Sequence, residues 1–257
     1  MRLLSSSLSS ALYYGSRAMG KQSRGTRILC YHRVNDQDKT YTSVTVSNFK
    51  EQMNFLSREG YQTISLKDIV ANSIIPISNG IRARQIAITF DDGWRDNYEN
   101  AFPILKQCGF QATIFLVTDE IGKPDYLTQE QILEMSRYGI QFGSHTLSHP
   151  DLTAIPEDRK WNEIFSSRKK MEDKLHLNID FFCYPYGLYD LKSVEFIRKA
   201  GYLGACSNTP GANLKGESAL LKRTEIGAHD TLFDFEKKIA GAYDLLHRGL
   251  HWWRGKP

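Results

Sequence analysis

Short apolar runs alternate with helical stretches of about ten residues or more along this 257-residue chain, and no other feature constrains its fold as tightly. Arg27–Tyr31, Gln85–Phe90, Ala112–Val117, Ile140–Gly143, Asp180–Tyr184, Tyr202–Cys206 and Leu220–Ile226 read as strands. The apolar spacing predicts helices over Ser47–Arg58, Tyr98–Cys108, Thr128–Tyr138, Pro156–Leu175, Leu191–Ala200 and Leu232–Leu246. Ser47 and Thr128 are the expected N-caps, and Gly109 and Gly139 the expected stops. On Pro156–Leu175 the expected stripe is Trp161, Ile164, Phe165, Met171 and Leu175. Strand–helix repeats of this kind build a parallel sheet, and about seven of them suit a closed or nearly closed α/β barrel.

The length admits one large domain or two small ones at roughly 100–200 residues each. No internal repeat or low-complexity linker divides the chain, so one domain is expected. Hydrophobic residues at 41% and charged residues at 24% exclude a long disordered or collagen-like chain. No stretch approaches the roughly 20 apolar residues of a membrane-spanning helix. Cys30, Cys108, Cys183 and Cys206 form no CxxC pair. They indicate neither a disulfide framework nor a cysteine zinc site, and favour a reducing compartment.

The net charge of +4 is unevenly spread: residues 1–35 carry +6 and residues 237–257 carry +4, leaving −6 on the body between them. An acidic body without a basic aromatic groove speaks against a nucleic-acid partner. Basic ends suit an anionic surface such as a membrane. Residues 1–26, rich in serine and arginine, read as a transit peptide, as an interfacial helix with Leu4, Leu8, Leu12 and Tyr13 as its apolar stripe, or as a frayed terminal helix. The helix readings are preferred, and no clear secretory signal is present. Residues 27–246 form the expected barrel. Residues 247–257 set Trp252 and Trp253 beside Arg254 and Lys256, a composition suited to a membrane interface or to packing on the barrel. A cytoplasmic location, or a peripheral one on a membrane, follows as the expectation.

Three strand ends carry the chemistry, on the face where parallel β/α folds place their sites. The first, Ile88 to Gly93, ends in adjacent carboxylates, Asp91 and Asp92. Neighbouring carboxylates repel, and a metal on one leaves the other free as a base; the plain alternative is an Asp-Gly turn. The second holds His145 and His149 four residues apart. On a helical turn both imidazoles would reach one ion; the alternative is a pair of surface or core histidines. The third is Cys183-Tyr184-Pro185-Tyr186-Gly187, whose proline and glycine could aim a backbone N–H into the site or form an ordinary turn.

Taken together, these motifs resemble the polysaccharide deacetylase family, also called the NodB-homology domain or carbohydrate esterase family four. The resemblance runs from about Ile28 to Leu246 and rests on Thr89-Phe90-Asp91-Asp92-Gly93, His145 through His149, and Pro185-Tyr186-Gly187. The stretches Asn97 to Leu105 and Ala112 to Phe115 also read like the family. Cys30-Tyr31-His32-Arg33-Val34 and Pro210 to Asn213 are similar to a bacterial branch acting on surface polysaccharides. The implied fold is an irregular, incomplete (β/α)7-type barrel.

The resemblance implies Asp92, His145 and His149 as ligands of a divalent metal, with zinc expected, and Asp91 as general base. The backbone N–H of Tyr186 would stabilise the oxyanion of an N-acetyl group on an amino sugar. The general acid would be His229, or else His32, which could instead shape the site. The family's third motif usually opens with an arginine that orients the base; Cys183 stands there, with Arg223 or Arg33 as candidate substitutes and a small buried hydrophobe as the plain reading of Cys183. The implied function is a metal-dependent N-deacetylase of a polysaccharide or glycan precursor, with a carbohydrate partner. The alternatives are a deformylase or amide hydrolase on a lipid-linked sugar, and a catalytically weak glycan-binding module of the same fold.

Overall fold

The computed structural model describes residues 25–71, 84–213 and 218–244. Its strands are β1 (Thr26–Tyr31), β2 (Arg33–Val34), β3 (Ser43–Val44), β4 (Tyr61–Thr63), β5 (Arg84–Phe90), β6 (Thr113–Leu116), β7 (Gln141–Ser144), β8 (Phe181–Cys183), β9 (Gly204–Cys206), β10 (Ala212–Asn213) and β11 (Thr224–Glu225). Its α-helices are α1 (Val46–Arg58), α2 (Leu66–Ala71), α3 (Phe102–Cys108), α4 (Gln129–Arg137), α5 (Glu157–Leu175), α6 (Leu191–Lys199) and α7 (Leu232–Ile239).

The main sheet runs β10-β1-β5-β6-β7-β8-β9, parallel throughout except for β10. The segment that ends in β11 spans the gap between its two sides. Leu221 bridges to Cys206 of β9, and Thr224–Glu225 pair with Leu29–Cys30 of β1. With β11 as the last stave, β1, β5, β6, β7, β8 and β9 curl into the irregular seven-stave barrel that the strand–helix alternation predicts. On the β9 side the seam is held by backbone hydrogen bonds between Ala205 and Ser218, Leu221 and Ala205, and Ser207 and Leu221 at 2.8–2.9 Å rather than by a long ladder.

Strand periodicity divides the residues between two cores. Leu29, Tyr31, Ile88, Phe90, Ile114, Leu116 and Phe182 face the helices and belong to the larger cluster. Ile28, Ala87, Phe115, Phe181, Cys183, Cys206 and Leu221 form a smaller one with Leu66 of α2. Gly143 serves this smaller cluster: a Cβ there would lie 2.6 Å from the Phe115 ring and 2.8 Å from the Phe181 carbonyl. Phe49, Gln52, Met53 and Leu56, spaced three and four apart on α1, are the buried face of that helix.

Several local expectations need correction. Helix α1 is capped by Thr45, whose hydroxyl accepts from the Asn48 N–H at 3.2 Å, so Ser47 lies inside the first turn. The helix expected over Tyr98–Cys108 begins as a π-turn over Asn97–Ala101 and becomes α-helical only from Phe102, next to Pro103, which has no N–H to give. The strand expected over Leu220–Ile226 is broken into the two-residue β11 and the isolated bridge at Leu221. Helix α7 ends at Ile239, just before Gly241 at φ 83°. Phe165 is exposed; it stacks on Trp161 at 5.0 Å on the outer side of α5. The readings of residues 1–24 and of Trp252 and Trp253 lie outside the described residues. Among the described residues no helix is long and apolar enough to cross a membrane.

Candidate active site

The carboxyl ends of β5, β7 and β8 bring the three chemical segments together. Asp91 directly follows β5, and its N–H donates to the Tyr31 carbonyl at 2.9 Å. Asp92 and Gly93 then turn the chain away with φ of 72° and 80°. At Gly93 a Cβ would meet the end of the Leu116 side chain at 2.7 Å, so another residue would have to displace it as well as adopt the left-handed backbone.

Asp92, His145 and His149 converge on one point. His145 Nε2 lies 3.6 Å and His149 Nε2 3.5 Å from Asp92 Oδ1, and the two Nε2 atoms are 3.2 Å apart. The Cys183 carbonyl, which can only accept, lies 2.8 Å from His145 Nδ1. That fixes the proton on Nδ1 and leaves the Nε2 lone pair facing the other two donors. Three potential ligand atoms converging in this way could share one cation. Around a tetrahedral zinc with bonds of about 2.0–2.1 Å, donor atoms stand about 3.3 Å apart, so the ligand set fits a metal of that size. Burial pulls the His145 pKa down to about 4, which keeps the ring in the neutral form that a ligand needs. The second oxygen of Asp92 accepts from Trp94 Nε1 at 3.0 Å.

His145 and His149 do not sit on a helical turn, as their spacing suggested. They bracket an irregular loop in which Thr146 and His149 adopt φ of 70° and 60°. A β-branched residue in the left-handed region is a real outlier, and each such residue costs about 1–3 kcal/mol. The loop is held by several ties. The Thr146 N–H donates to Ser144 Oγ at 3.2 Å, and the His149 N–H to Thr146 Oγ1 at 2.9 Å. The Thr118 and Asp119 N–H groups reach the Thr146 and Leu147 carbonyls at 3.1 and 3.0 Å. Glu163, on α5, takes the remaining donors. Sequence reasoning missed it, although its place four residues before Ser167 and one before Ile164 puts it on the buried face of α5.

Asp91 is buried and bound by Arg223 through two parallel bonds, Nη1 to Oδ1 at 2.6 Å and Nη2 to Oδ2 at 2.7 Å. Arg223 is itself only 1% exposed; its Nε donates to the Ser207 carbonyl at 3.0 Å, and Nη2 also contacts Asn208 Oδ1 at 2.5 Å and Cys183 Sγ at 3.1 Å. Burial would raise the Asp91 pKa, but the Arg223 charge and hydrogen bonds outweigh it and hold the carboxyl well below the usual range. Of the two candidate substitutes, Arg33 is engaged elsewhere: its Nε donates to Asp96 at 2.8 Å and its guanidinium lies 4.4 Å over the Trp94 ring. Cys183 is a buried thiol 3.6 Å from Asp91 Oδ2, its pKa pushed up by burial.

His32 Nε2 faces Asp91 Oδ2 at 3.9 Å, and its Nδ1 is buried without a hydrogen-bond partner among the described residues. His229 is exposed in the turn after β11, and the convergent ligand groups among the described residues do not include it. Asp230 beside it does not cap the next helix. It accepts from the Gly227 N–H and Lys238, and Thr231 is the cap of α7. Tyr186 lies at φ 59° in the one-turn helix Pro185–Gly187, with an exposed ring standing edge-on to His149 at 4.7 Å.

Fold and cluster together define a seven-stave β/α barrel protein with a convergent Asp-His-His cluster and an arginine-bound carboxylate at the carboxyl end of its strands. A family model described as polysaccharide deacetylase matches residues 79–205. The chain is 31% identical over 205 residues to the poly-beta-1,6-N-acetyl-D-glucosamine N-deacetylase of Staphylococcus epidermidis, covering 67% of this chain and 68% of that one. It is 33% identical over 185 residues to the Bacillus subtilis protein YxkH, covering 72% of this chain but only 65% of that one. A solved polysaccharide deacetylase from Bacillus cereus superposes with a TM-score of 0.72 at 27% identity, over 84% of this chain and 69% of that one. The chain belongs to the polysaccharide deacetylase family.

Proposed function

We propose that this protein is a metal-dependent hydrolase that removes N-acetyl groups from amino sugars of a polysaccharide or glycan precursor, with zinc held by Asp92, His145 and His149. The observation that carries the reading is the pairing of an ionised, immobilised Asp91 with that neighbouring ligand set. The substrate named for the Staphylococcus epidermidis relative supports a polymer of N-acetylglucosamine.

When bound, the metal supplies a Lewis acid that lowers the pKa of a water toward about 7 and polarises the acetyl carbonyl, which lets so weak a base as Asp91 suffice. Asp91 takes the proton of the attacking water, and Arg223 keeps its carboxylate aimed. The new C–O bond forms at the carbonyl carbon, and the Tyr186 N–H donates to the developing oxyanion. The C–N bond then breaks. The amine nitrogen receives a proton and leaves, and acetate is the second product. His32 is the nearer candidate for that proton transfer, because it faces Asp91 and carries a ring nitrogen without a partner among the described residues. His229 stands exposed.

The non-catalytic reading drew on the missing motif arginine. Arg223 fills that role in space, which favours turnover over simple glycan binding. Acetate release from N-acetylglucosamine oligosaccharides, with zinc or cobalt added, tests the proposal. Wild type is expected to release acetate, Asp91→Asn to release none, and chelation followed by metal to restore the wild type. Stoichiometric metal binding without acetate from any N-acetylated glycan would overturn it in favour of an N-formyl or lipid-linked substrate, or of a binding module.

A further inference from the structure

Glu163 is a buried carboxylate that the reaction does not use. Only 4% of it is exposed, yet no cation is bound to it among the described residues. Its two oxygens accept three hydrogen bonds, and every donor lies between the two metal-ligating histidines. The Leu147 and Ser148 N–H groups donate to Oε2 at 2.9 and 3.0 Å, and the Ser148 hydroxyl donates to Oε1 at 2.7 Å. Successive N–H groups beside a left-handed residue form the concave donor pair that elsewhere binds free anions. Here Thr146 supplies the left-handed residue and α5 supplies the anion.

We propose that Glu163 is the positioning residue of the metal centre: an internal anion that holds the His145–His149 loop in its ligating shape before any metal arrives. The inference rests on the assignment of Asp92, His145 and His149 as ligands and deepens it. Two of the three ligands belong to a loop whose backbone is unfavourable at Thr146 and at His149 itself. The other ties come from within the loop, from the segment after β6 and, through the Cys183 carbonyl, from β8. Ser167 on α5 reaches the loop only through Ser144, at 2.7 Å; Glu163 is the tie that takes the loop's own amides directly to the helical layer, and it satisfies two consecutive amides that would otherwise compete for carbonyls and redirect the chain. Removing it lets the loop relax, swings His149 away from Asp92, and leaves the barrel standing.

The chemistry of the contact predicts which substitution is tolerated. In Glu163→Gln the amide oxygen can accept both backbone N–H groups while the NH2 donates to Ser148 Oγ, so all three bonds survive. In Glu163→Ala none does. Outer partners of metal ligands typically change affinity about 10–100-fold.

The test measures cobalt affinity by chelator competition and the visible absorption of bound cobalt, together with melting temperature, on the full chain. Glu163→Ala is expected to lose cobalt affinity at least about 10-fold with an altered spectrum, and Glu163→Gln to stay within about threefold of wild type. Ile164→Val is buried on the same helix and touches no loop donor in these bonds; it is expected to melt earlier and bind cobalt as wild type does. In metal-free wild type, the Leu147 and Ser148 amides are expected to be protected from hydrogen exchange. Wild-type affinity and spectrum in Glu163→Ala would overturn the proposal. So would unprotected Leu147 and Ser148 amides, a Gln variant as impaired as the Ala variant, or an equal loss in Ile164→Val. If Glu163→Ala does not fold, the exchange measurement and the Gln variant decide. Failure of the wild type itself to bind cobalt would instead remove the metal assignment, and this proposal with it.

Discussion

Arg223 grips Asp91 with two parallel hydrogen bonds of 2.6 and 2.7 Å, across a sequence separation of 132 residues. Both side chains are buried. The arginine enters from the segment that closes the barrel seam, whereas the family resemblance expects it at Cys183. The two positions converge, because Arg223 Nη2 contacts the Cys183 sulfur at 3.1 Å. The Arg223 guanidinium therefore lies against both Asp91 and the Cys183 position, and it arrives from the segment just before β11.

That convergence predicts the outcome of moving the charge. Arg223→Ala strands a buried carboxylate, which typically costs about 3–5 kcal/mol, and is expected to lose activity at least about 100-fold by releasing Asp91 from its orientation. Arg223→Lys should rescue little, because one ammonium cannot make the parallel pair. Adding Cys183→Arg to Arg223→Ala should recover part of both losses. Melting curves and kcat on the three variants check this; a double variant no better than Arg223→Ala would show that the Cys183 position cannot hold the cation.

His145 and His149 are expected to separate metal binding from stability. Each would supply one ligand atom to the proposed metal, so replacing either with alanine should weaken zinc or cobalt binding strongly. Only His145 also satisfies the buried Cys183 carbonyl, and leaving such an acceptor unpaired costs about 1–3 kcal/mol. His149 is partly exposed, and its loss should change stability by no more than about 0.5 kcal/mol. Chemical denaturation in the presence of a chelator reads the difference. Equal destabilisation by the two variants would mean that the His145 tie to Cys183 carries no weight.

The barrel was legible because its signal is periodic and repeated: each of the seven expected strands finds a place in it, even where, as at Leu220–Ile226, only β11 and the bridge at Leu221 remain paired. The carboxylates and histidines were legible because a motif places them a few residues apart. What escaped was set by contacts distant in sequence or by backbone geometry. Nothing local distinguishes Arg223 from Arg33 as the partner of Asp91; the register of β11 on β1 decides it. The loop between His145 and His149 looked helical because spacing alone cannot report a threonine at φ 70°. Glu163 reads as one more charged residue on a charged helix, and only the buried face Lys160, Glu163, Ile164, Ser167 and Met171 would have singled it out. The short strands β2 and β3 carry too few residues for any periodicity to register.

Helix α7 should make stability depend on pH through Asp234. Burial disfavours its charge, but hydrogen bonds from Lys237 and Thr231 outweigh that and hold the pKa down to about 2, against an ordinary 3.8. The folded pKa is depressed, so the unfolded chain takes up the proton first as pH falls. The contribution is therefore complete above about pH 5 and disappears as the pH falls toward about 2. Asp91, also held low by Arg223, acts in the same direction. Urea midpoints taken between pH 7 and pH 2.5 should fall more steeply for wild type than for Asp234→Asn. Parallel curves would mean that the capping carboxylate is as easily protonated folded as unfolded.

Trp94 is expected to act on the metal rather than on the sugar. Its two ring faces are already covered, by the Arg33 guanidinium at 4.4 Å and by the Tyr126 ring stacked at 4.5 Å, which leaves no face for a pyranose. Its N–H holds Asp92 Oδ2, so that Oδ1 alone points toward the histidines. Trp94→Phe keeps an aromatic ring between Arg33 and Tyr126 but removes the donor and frees Asp92 to rotate. Metal affinity should fall about 10-fold or more, in the range seen for outer partners of ligands, while KM at saturating metal stays within about twofold of wild type. Tyr186 offers the contrast, because its ring is exposed beside His149. Tyr186→Ala keeps the backbone N–H and should raise KM with little change in metal affinity. Metal titrations and steady-state kinetics on the two variants distinguish the roles, and a rise in KM for Trp94→Phe with unchanged metal binding would reverse the assignment.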